Sequence, residues 1–263
     1  MTQNTVKIAH LSQQLYSARK NSQEQEPLTL SHSELDLPMA YKIQAHGIEL
    51  RQKDGEKIVG YKMGLTSKAK MEQMGLHQPI FGVLTDRMEV KNHGHFSLDG
   101  KIHPKAEPEI FFITQRELSG KITAEQAMEA CSEVGVALEI LDSRFRGFKY
   151  FALPDVVADN SSSAFFVLGD RKPCSNLKDI KNLKITITAN GAPAFEAHGH
   201  AILGNPWLSL CELVSLLHQE GKRLPARSVV LAGAATQAIA LEANTTITAT
   251  LESVGAVEFH VKA

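Results

Sequence analysis

Cysteine is scarce in this chain, and the little there is forms no pattern. Cys131, Cys174 and Cys211 are widely spaced and include no CxxC pair, which excludes a disulfide scaffold and a cysteine zinc site. Each reads as a small buried apolar residue. Long hydrophobic runs are missing too: no apolar stretch reaches the roughly 18 residues that cross a bilayer, and MTQNTVKIAHLSQQLYSARK lacks the continuous apolar segment of a secretion signal. A cytoplasmic protein with no membrane partner is expected. Nor is one charge in excess, because 28 Lys and Arg face 29 Asp and Glu for a net charge of -1. With no block of like charge, no nucleic-acid partner is expected. No internal repeat or low-complexity tract is present. What remains is 263 residues, enough to bury about 70–75% of the extended chain's surface and to form one domain with an appendage.

Ile8, Leu11 and Leu15 recur at helical spacing, as do Leu35, Met39, Ala40, Ile43 and Leu50 after a polar stretch holding Pro27. Pro38 fits the second helix only in its first turn, which starts that helix near Asp36 or Leu37. These helices predict an N-terminal unit over residues 1–54, leaving 55–263 as a β-rich domain. A short helix is predicted over Ser67 to Met74, stopped by Gly75. From about residue 102, EPEIFFI, GVALEIL, SAFFVLG, LKITITA, SVVLAG, TTITATLES and AVEFHVK read as strands. Asn190-Gly191 reads as a hairpin turn, and His93 and His95 as flanks of a surface turn. The runs are too close together for regular βαβ units, so an antiparallel or mixed sheet in an α+β fold is expected. Two helices interrupt it, one opened by the capping box Thr123-x-x-Gln126 and one by Asn205-Pro206 with the stripe Leu210, Leu213, Val214 and Leu217.

Glu107 and Glu109 are two apart in a predicted strand, so both carboxylates emerge on one face. A hard divalent cation between them would remove their repulsion; an exposed acidic edge fits the same pattern. Glu139 sits in an otherwise apolar strand, where a lone carboxylate needs a cationic partner. That partner is either the same metal or Arg144 or Lys105. An all-oxygen set favours Mg²⁺ or Mn²⁺ over structural zinc. Lys62 lies among apolar residues in GYKMGLT, either snorkelling at a strand end or placed to trade a proton, its proton affinity lowered near a metal and a dry pocket. Arg144 has the chemistry to fork a substrate carboxylate, while Asp142, Asp159 and Asn160 could orient water or Lys62; taken singly, each is more often a turn or capping residue. Gly233-Ala234-Ala235-Thr236 is a small-residue bend that lets a ligand near backbone amides, or simply a tight turn. His103, His198, His200 and His218 match no metal-binding spacing.

IVGYKMGLTSKAKMEQMG (58–75), IHPKAEPEI (102–110), ALEILDSRF (137–145), VVADNSSS (156–163) and GAAT (233–236) resemble, in order, the hydratase/decarboxylase branch of the fumarylacetoacetate hydrolase superfamily. KMGLTSKAKMEQMG and LDSRF are more similar to its decarboxylase side than to the hydratases. The resemblance implies a mixed β-sheet roll with an N-terminal helical unit. It implies Mg²⁺, or Mn²⁺, held by Glu107, Glu109 and Glu139, with Lys62, Asp142 and Arg144 as catalytic residues. Leu65, Asp159, Asn160 and Thr236 are the substrate-binding matches. The implied activity is loss of CO₂ from the 2-oxo dicarboxylate 2-oxo-3-hexenedioate in meta-cleavage degradation of aromatic compounds. Hydration of 2-hydroxypenta-2,4-dienoate is the alternative, and a non-catalytic binding or scaffold protein is the reading from another class. The resemblance also implies a homo-oligomer and a complex with the pathway hydratase. Asn205 departs from the family, which usually has histidine there, though asparagine still caps a helix.

Overall fold

The computed structural model describes residues 3–263 apart from 68–70, 72–78, 150–151 and 178. Two helices, α1 (Gln3–Lys20) and α2 (Leu37–Lys53), pack against each other at the start of the chain. Asp36 caps α2 by accepting from the Met39 amide at 2.9 Å, and Pro38 occupies the first turn, as the sequence requires. The helix predicted over Ser67 to Met74 falls largely outside the described residues; within them, the Met71 amide donates to Ser67 O at 2.9 Å. Among the described residues no helix is long and apolar enough to cross a membrane.

The larger sheet contains β1 (Ile58–Gly64), β2 (Ile80–Thr85), β4 (Lys105–Thr114), β5 (Cys131–Leu141), β6 (Ser163–Pro173) and β9 (Val229–Ala234) in the order β2-β1-β9-β4-β5-β6. The short β10 (Ile239–Ala240) joins β4. β1 and β9 run parallel, and the other neighbours in this sheet are antiparallel. A second sheet has the order β3-β12-β11-β7-β8, with β3 (Gly94–Ser97), β7 (Lys184–Ala189), β8 (Ala192–His198), β11 (Thr246–Leu251) and β12 (Gly255–Lys262). One apolar core runs from α1 and α2 through both sheets. The architecture is the expected α+β fold with a mixed sheet.

Local chemistry explains the connections. Asn190 and Gly191 carry φ of 50° and 77°, the paired positive angles of a tight turn between β7 and β8. Thr123 and Gln126 form their capping box at the start of α3 (Ala124–Glu129). Asn205 accepts from the Trp207 amide at 3.1 Å and opens α5 (Pro206–Gln219). Trp207 then stacks on Phe112 of β4, with ring centroids 4.2 Å apart. Three strands lie before residue 102, where a strand end at Lys62 was the one strand feature considered. β2 is buried along its whole length and therefore shows no alternation. His93 lies in the expected exposed turn, with φ of 59°, whereas Gly94 and His95 already belong to β3.

The helices are tied to the sheet by buried polar contacts. The Gln44 side-chain amide donates to Phe81 O and Val157 O, both at 3.0 Å. Asp155 of α4 (Leu153–Ala158) is fully buried and accepts from the Thr29 amide at 3.0 Å, the Thr29 hydroxyl at 2.5 Å and the Ala152 amide at 3.0 Å. Asp155→Ala strands these donors. Denaturant unfolding of that variant should show a loss of about 3 kcal/mol; a loss below about 0.5 kcal/mol would show that the tether is dispensable.

Candidate active site

β4 and β5 bring three carboxylates to one point. Glu107 and Glu109 alternate onto one face of β4, and Glu107 is the register partner of Glu139 across the antiparallel ladder. One oxygen from each lies within 4.8 Å of the others. Glu109 and Glu139 are fully buried, and Glu107 is half-buried. Burial first, then the charges of Glu139 and Glu107, push Glu109 well above the ordinary carboxylate range against the pull of Lys62.

Each buried carboxylate has one oxygen anchored. Glu139 Oε1 accepts from Ser163 Oγ at 2.8 Å, and Oε2 lies 3.0 Å from Lys62 Nζ. Glu109 Oε2 accepts from the Gly233 amide at 2.7 Å, while its buried Oε1 has no hydrogen-bond partner. The Gly233 amide is free to turn inward because the β4–β9 register is irregular between Glu109 and Phe111. Gly233 also has a φ of +107°, and a Cβ there would stand 2.2 Å from Thr66 Oγ1. An orphaned buried carboxylate oxygen in an all-oxygen, net-negative cluster fits a hard divalent cation.

Lys62 on β1 is buried and also donates to Ser161 O at 3.3 Å. Burial disfavours its ammonium, but the charges of Glu139, Glu109 and Glu107 outweigh that cost and raise its pKa. The expected lowering of its proton affinity concerns the metal-bound site; with the carboxylates alone beside it, the ammonium is favoured. The ion pair identifies Glu139's cationic partner as Lys62, not Arg144 or Lys105. The Ser161 carbonyl is aimed by an unusual segment in which Asn160, Ser161 and Ser162 all carry positive φ, 52°, 53° and 59°. Asn160 holds this segment by pairing its side chain with both Val83 N (2.8 Å) and Val83 O (3.0 Å), and Ser161 Oγ donates to Phe81 O at 2.9 Å. Gly82 leaves the room required: a Cβ there would stand 2.7 Å from Asn160 O and 3.2 Å from the Lys62 side chain.

A cavity of about 210 Å³ opens beside this cluster, with Lys62, Leu65, Glu107, Phe148, Ser161 and Ala234 among its lining residues. Lys62, Leu65, Glu107, Glu109 and Glu139 are thus brought together as expected. The other candidates are not. Arg144 cannot fork a substrate carboxylate, because its guanidinium is bound by the Asp159 carboxylate, by Asp159 O at 2.6 Å and by Asp142 O at 2.5 Å. Asp142 accepts from the amides of Ile102 (3.1 Å) and His103 (2.6 Å). Arg144, Asp159 and Asn160 line a different cavity, facing α1 and α2. They brace the loop behind Lys62 and do not contact the catalytic cavity. Thr236 Oγ1 donates to Gln237 O at 3.0 Å and is likewise outside the cavity lining. Ser163, Gly82 and Phe148 were missed, while Ser161 and Gly233 were noted only as members of the Asp159-Asn160-Ser161 run and the small-residue bend, without their roles toward Lys62 and Glu109. The only signal for the serines was their run after Asp159-Asn160.

Fold and site together define an enzyme of the oxygen-ligated, divalent-cation class. The family model for the C-terminal part of fumarylacetoacetate (FAA) hydrolase matches residues 70–262, and the chain belongs to this family. It is 38% identical over 255 residues to a 4-oxalocrotonate decarboxylase from a Pseudomonas species, covering 97% of this chain and 98% of that one. It is 36% identical over 224 residues to a 2-hydroxyhexa-2,4-dienoate hydratase from Comamonas testosteroni, covering 84% of each. A solved structure of 4-oxalocrotonate decarboxylase from Pseudomonas putida G7, complexed with magnesium and adipate, matches with a TM-score of 0.95 at 32% identity, covering 99% of this chain and 98% of that one.

The acidic cluster generates a direct expectation. Saturating Mg²⁺, at about 100 times its Kd, should stabilise chelator-treated protein by roughly 2.7 kcal/mol, and Glu109→Gln should lose most of that gain. Calorimetric melting with and without Mg²⁺ measures it. Equal gains in both proteins would place the cation elsewhere.

Proposed function

We propose that this protein is a metal-dependent lyase that converts 2-oxo-3-hexenedioate (4-oxalocrotonate) to 2-hydroxypenta-2,4-dienoate and CO₂, a step in meta-cleavage degradation of aromatic compounds. The observation that carries this reading is the full-length structural match to a decarboxylase with bound magnesium and a six-carbon dicarboxylate. The Glu107–Glu109–Glu139 cluster supports it independently. Those three glutamates would hold Mg²⁺, and Mn²⁺ suits the same oxygen donors. Bound there, the cation would supply Lewis-acid stabilisation for negative charge at the 2-oxo group.

The chain's own residues divide the remaining work. Breaking the C5–C6 bond releases the C6 carboxylate as CO₂ and leaves its electron pair on C5. The conjugated C3=C4 bond passes that charge to the C2 oxygen. Lys62 would place its ammonium beside this oxygen and give it a proton, yielding the 2-hydroxydiene. Glu139 and Ser161 O keep that ammonium oriented. Leu65, Ile80, Leu141 and Phe148 give the cavity an apolar wall, which limits water and strengthens the electrostatic interaction.

Residues 1–54 serve in this proposal as a helical brace, and 55–263 carry the chemistry. A cytoplasmic setting, self-association and a complex with the product-consuming hydratase complete it; they rest on the family resemblance.

Lys62→Met should lower kcat by about 10² or more with little change in Mg²⁺ affinity; an unchanged kcat with a raised KM would reassign Lys62 to uniform binding. Hydratases among the relatives supply the competing reading. At equal Mg²⁺, kcat/KM should be larger for 2-oxo-3-hexenedioate, followed as CO₂ release, than for hydration of 2-hydroxypenta-2,4-dienoate. A larger value for the pentadienoate, with 4-hydroxy-2-oxopentanoate as product, would make the protein a hydratase.

A further inference from the structure

Lys105 adjoins two residues that line the catalytic cavity, Leu141 and Phe148, and has no role in the chemistry above. It begins β4 two residues before Glu107, so strand alternation places its side chain on the face that carries Glu107 and Glu109. Its register partner across the ladder, Leu141, is part of the cavity wall. Its Nζ lies 4.2 Å from the ring centroid of Phe148, which lines the same cavity.

Phe148 is itself held in place. Gly147 and Phe148 carry φ of 63° and 56°, and the Phe148 amide donates to Phe145 O at 3.0 Å. The Gly147 amide donates to Glu24 Oε1 at 3.2 Å, and the His103 ring packs edge-on to Phe148 at 6.3 Å. The ammonium therefore rests on a fixed aromatic face at the cavity edge.

The spacing along β4 matches a substrate. Two strand residues span about 6.5–7 Å, close to the carboxyl-to-carboxyl length of an extended six-carbon dioate. An extended dioate with its 2-oxo acid group at the glutamate cluster would therefore be long enough for its far carboxylate to approach Lys105. Arg144, the other nearby cation considered for this task, is consumed by Asp159 and by backbone carbonyls.

Resting on the decarboxylase reading, we propose that Lys105 recognises the distal carboxylate and selects dicarboxylates over monoanionic 2-oxo acids. A lysine suits this role better than an arginine. Part of its charge is satisfied by the aromatic ring, and it offers no bidentate fork. It attracts the carboxylate without holding it so tightly that loss of CO₂ is opposed.

Calorimetric titration of the Mg²⁺-loaded protein with adipate and with 2-oxopentanoate tests this without requiring turnover. Lys105→Met should weaken adipate about tenfold or more while leaving 2-oxopentanoate within about threefold, and Lys105→Arg should restore most adipate affinity. With 2-oxo-3-hexenedioate, Lys105→Met should raise KM about tenfold and leave kcat within about threefold. Equal weakening of both ligands, unchanged adipate affinity, or no adipate binding by the wild-type protein would overturn the proposal. Lys105-dependent adipate binding without CO₂ release would sink the decarboxylase reading and leave Lys105 as a dicarboxylate selector. CO₂ release with undiminished kcat/KM in Lys105→Met would do the reverse.

Discussion

Three carboxylates converge in the interior, and Lys62 balances them only in part. Such crowding disfavours the folded chain unless each charge is held by a specific partner. Much of the surrounding structure serves that need. Ser163 fixes one oxygen of Glu139, the irregularity in β9 turns the Gly233 amide toward Glu109, and the Asn160–Ser162 segment directs a carbonyl at Lys62. The remaining unpaired oxygen on Glu109 gives the site its appetite for a cation.

The N-terminal helices take part in this arrangement at one remove. Gln44 of α2 and Ser161 both donate to Phe81 O. Phe81 precedes Gly82, the residue whose missing side chain makes room for Lys62. Arg144 binds Asp159 directly before the left-handed segment, so the ion pair fixes the base of the loop that orients the lysine. Arg144 and Asp159 therefore influence the site through backbone position, without touching the cavity.

Strand phase made the Glu107–Glu109 pair legible in the sequence, and the apolar setting of Glu139 demanded a partner for it. Which partner was a matter of tertiary placement: Lys62 arrives from a strand separated from β5 by β9 and β4, and nothing local to Glu139 points to it. Arg144 misled because its residue type suits carboxylate recognition, while its actual ligands come from Asp159 and Asp142 backbone and side-chain atoms. β2 escaped notice because burial on both faces erased its periodicity. The roles of Gly82 and Gly233 depend on what lies across from them, which a linear reading does not contain. Capping and turn chemistry was the most legible part, since Asp36, Thr123, Asn190-Gly191 and Asn205 act on their own neighbours.

The direct pairing of Glu107 with Glu139 has a consequence for assembly of the chain. A slip of one residue between β4 and β5 would turn an entire row of side chains to the opposite face. Glu139 would then leave the cluster, and the three-carboxylate site would not exist. A cation bound by the three carboxylates would therefore stabilise only molecules whose central ladder has closed in this register. The same ion that serves the reaction would deepen the energy gap between the native alignment and its nearest misfolded neighbours.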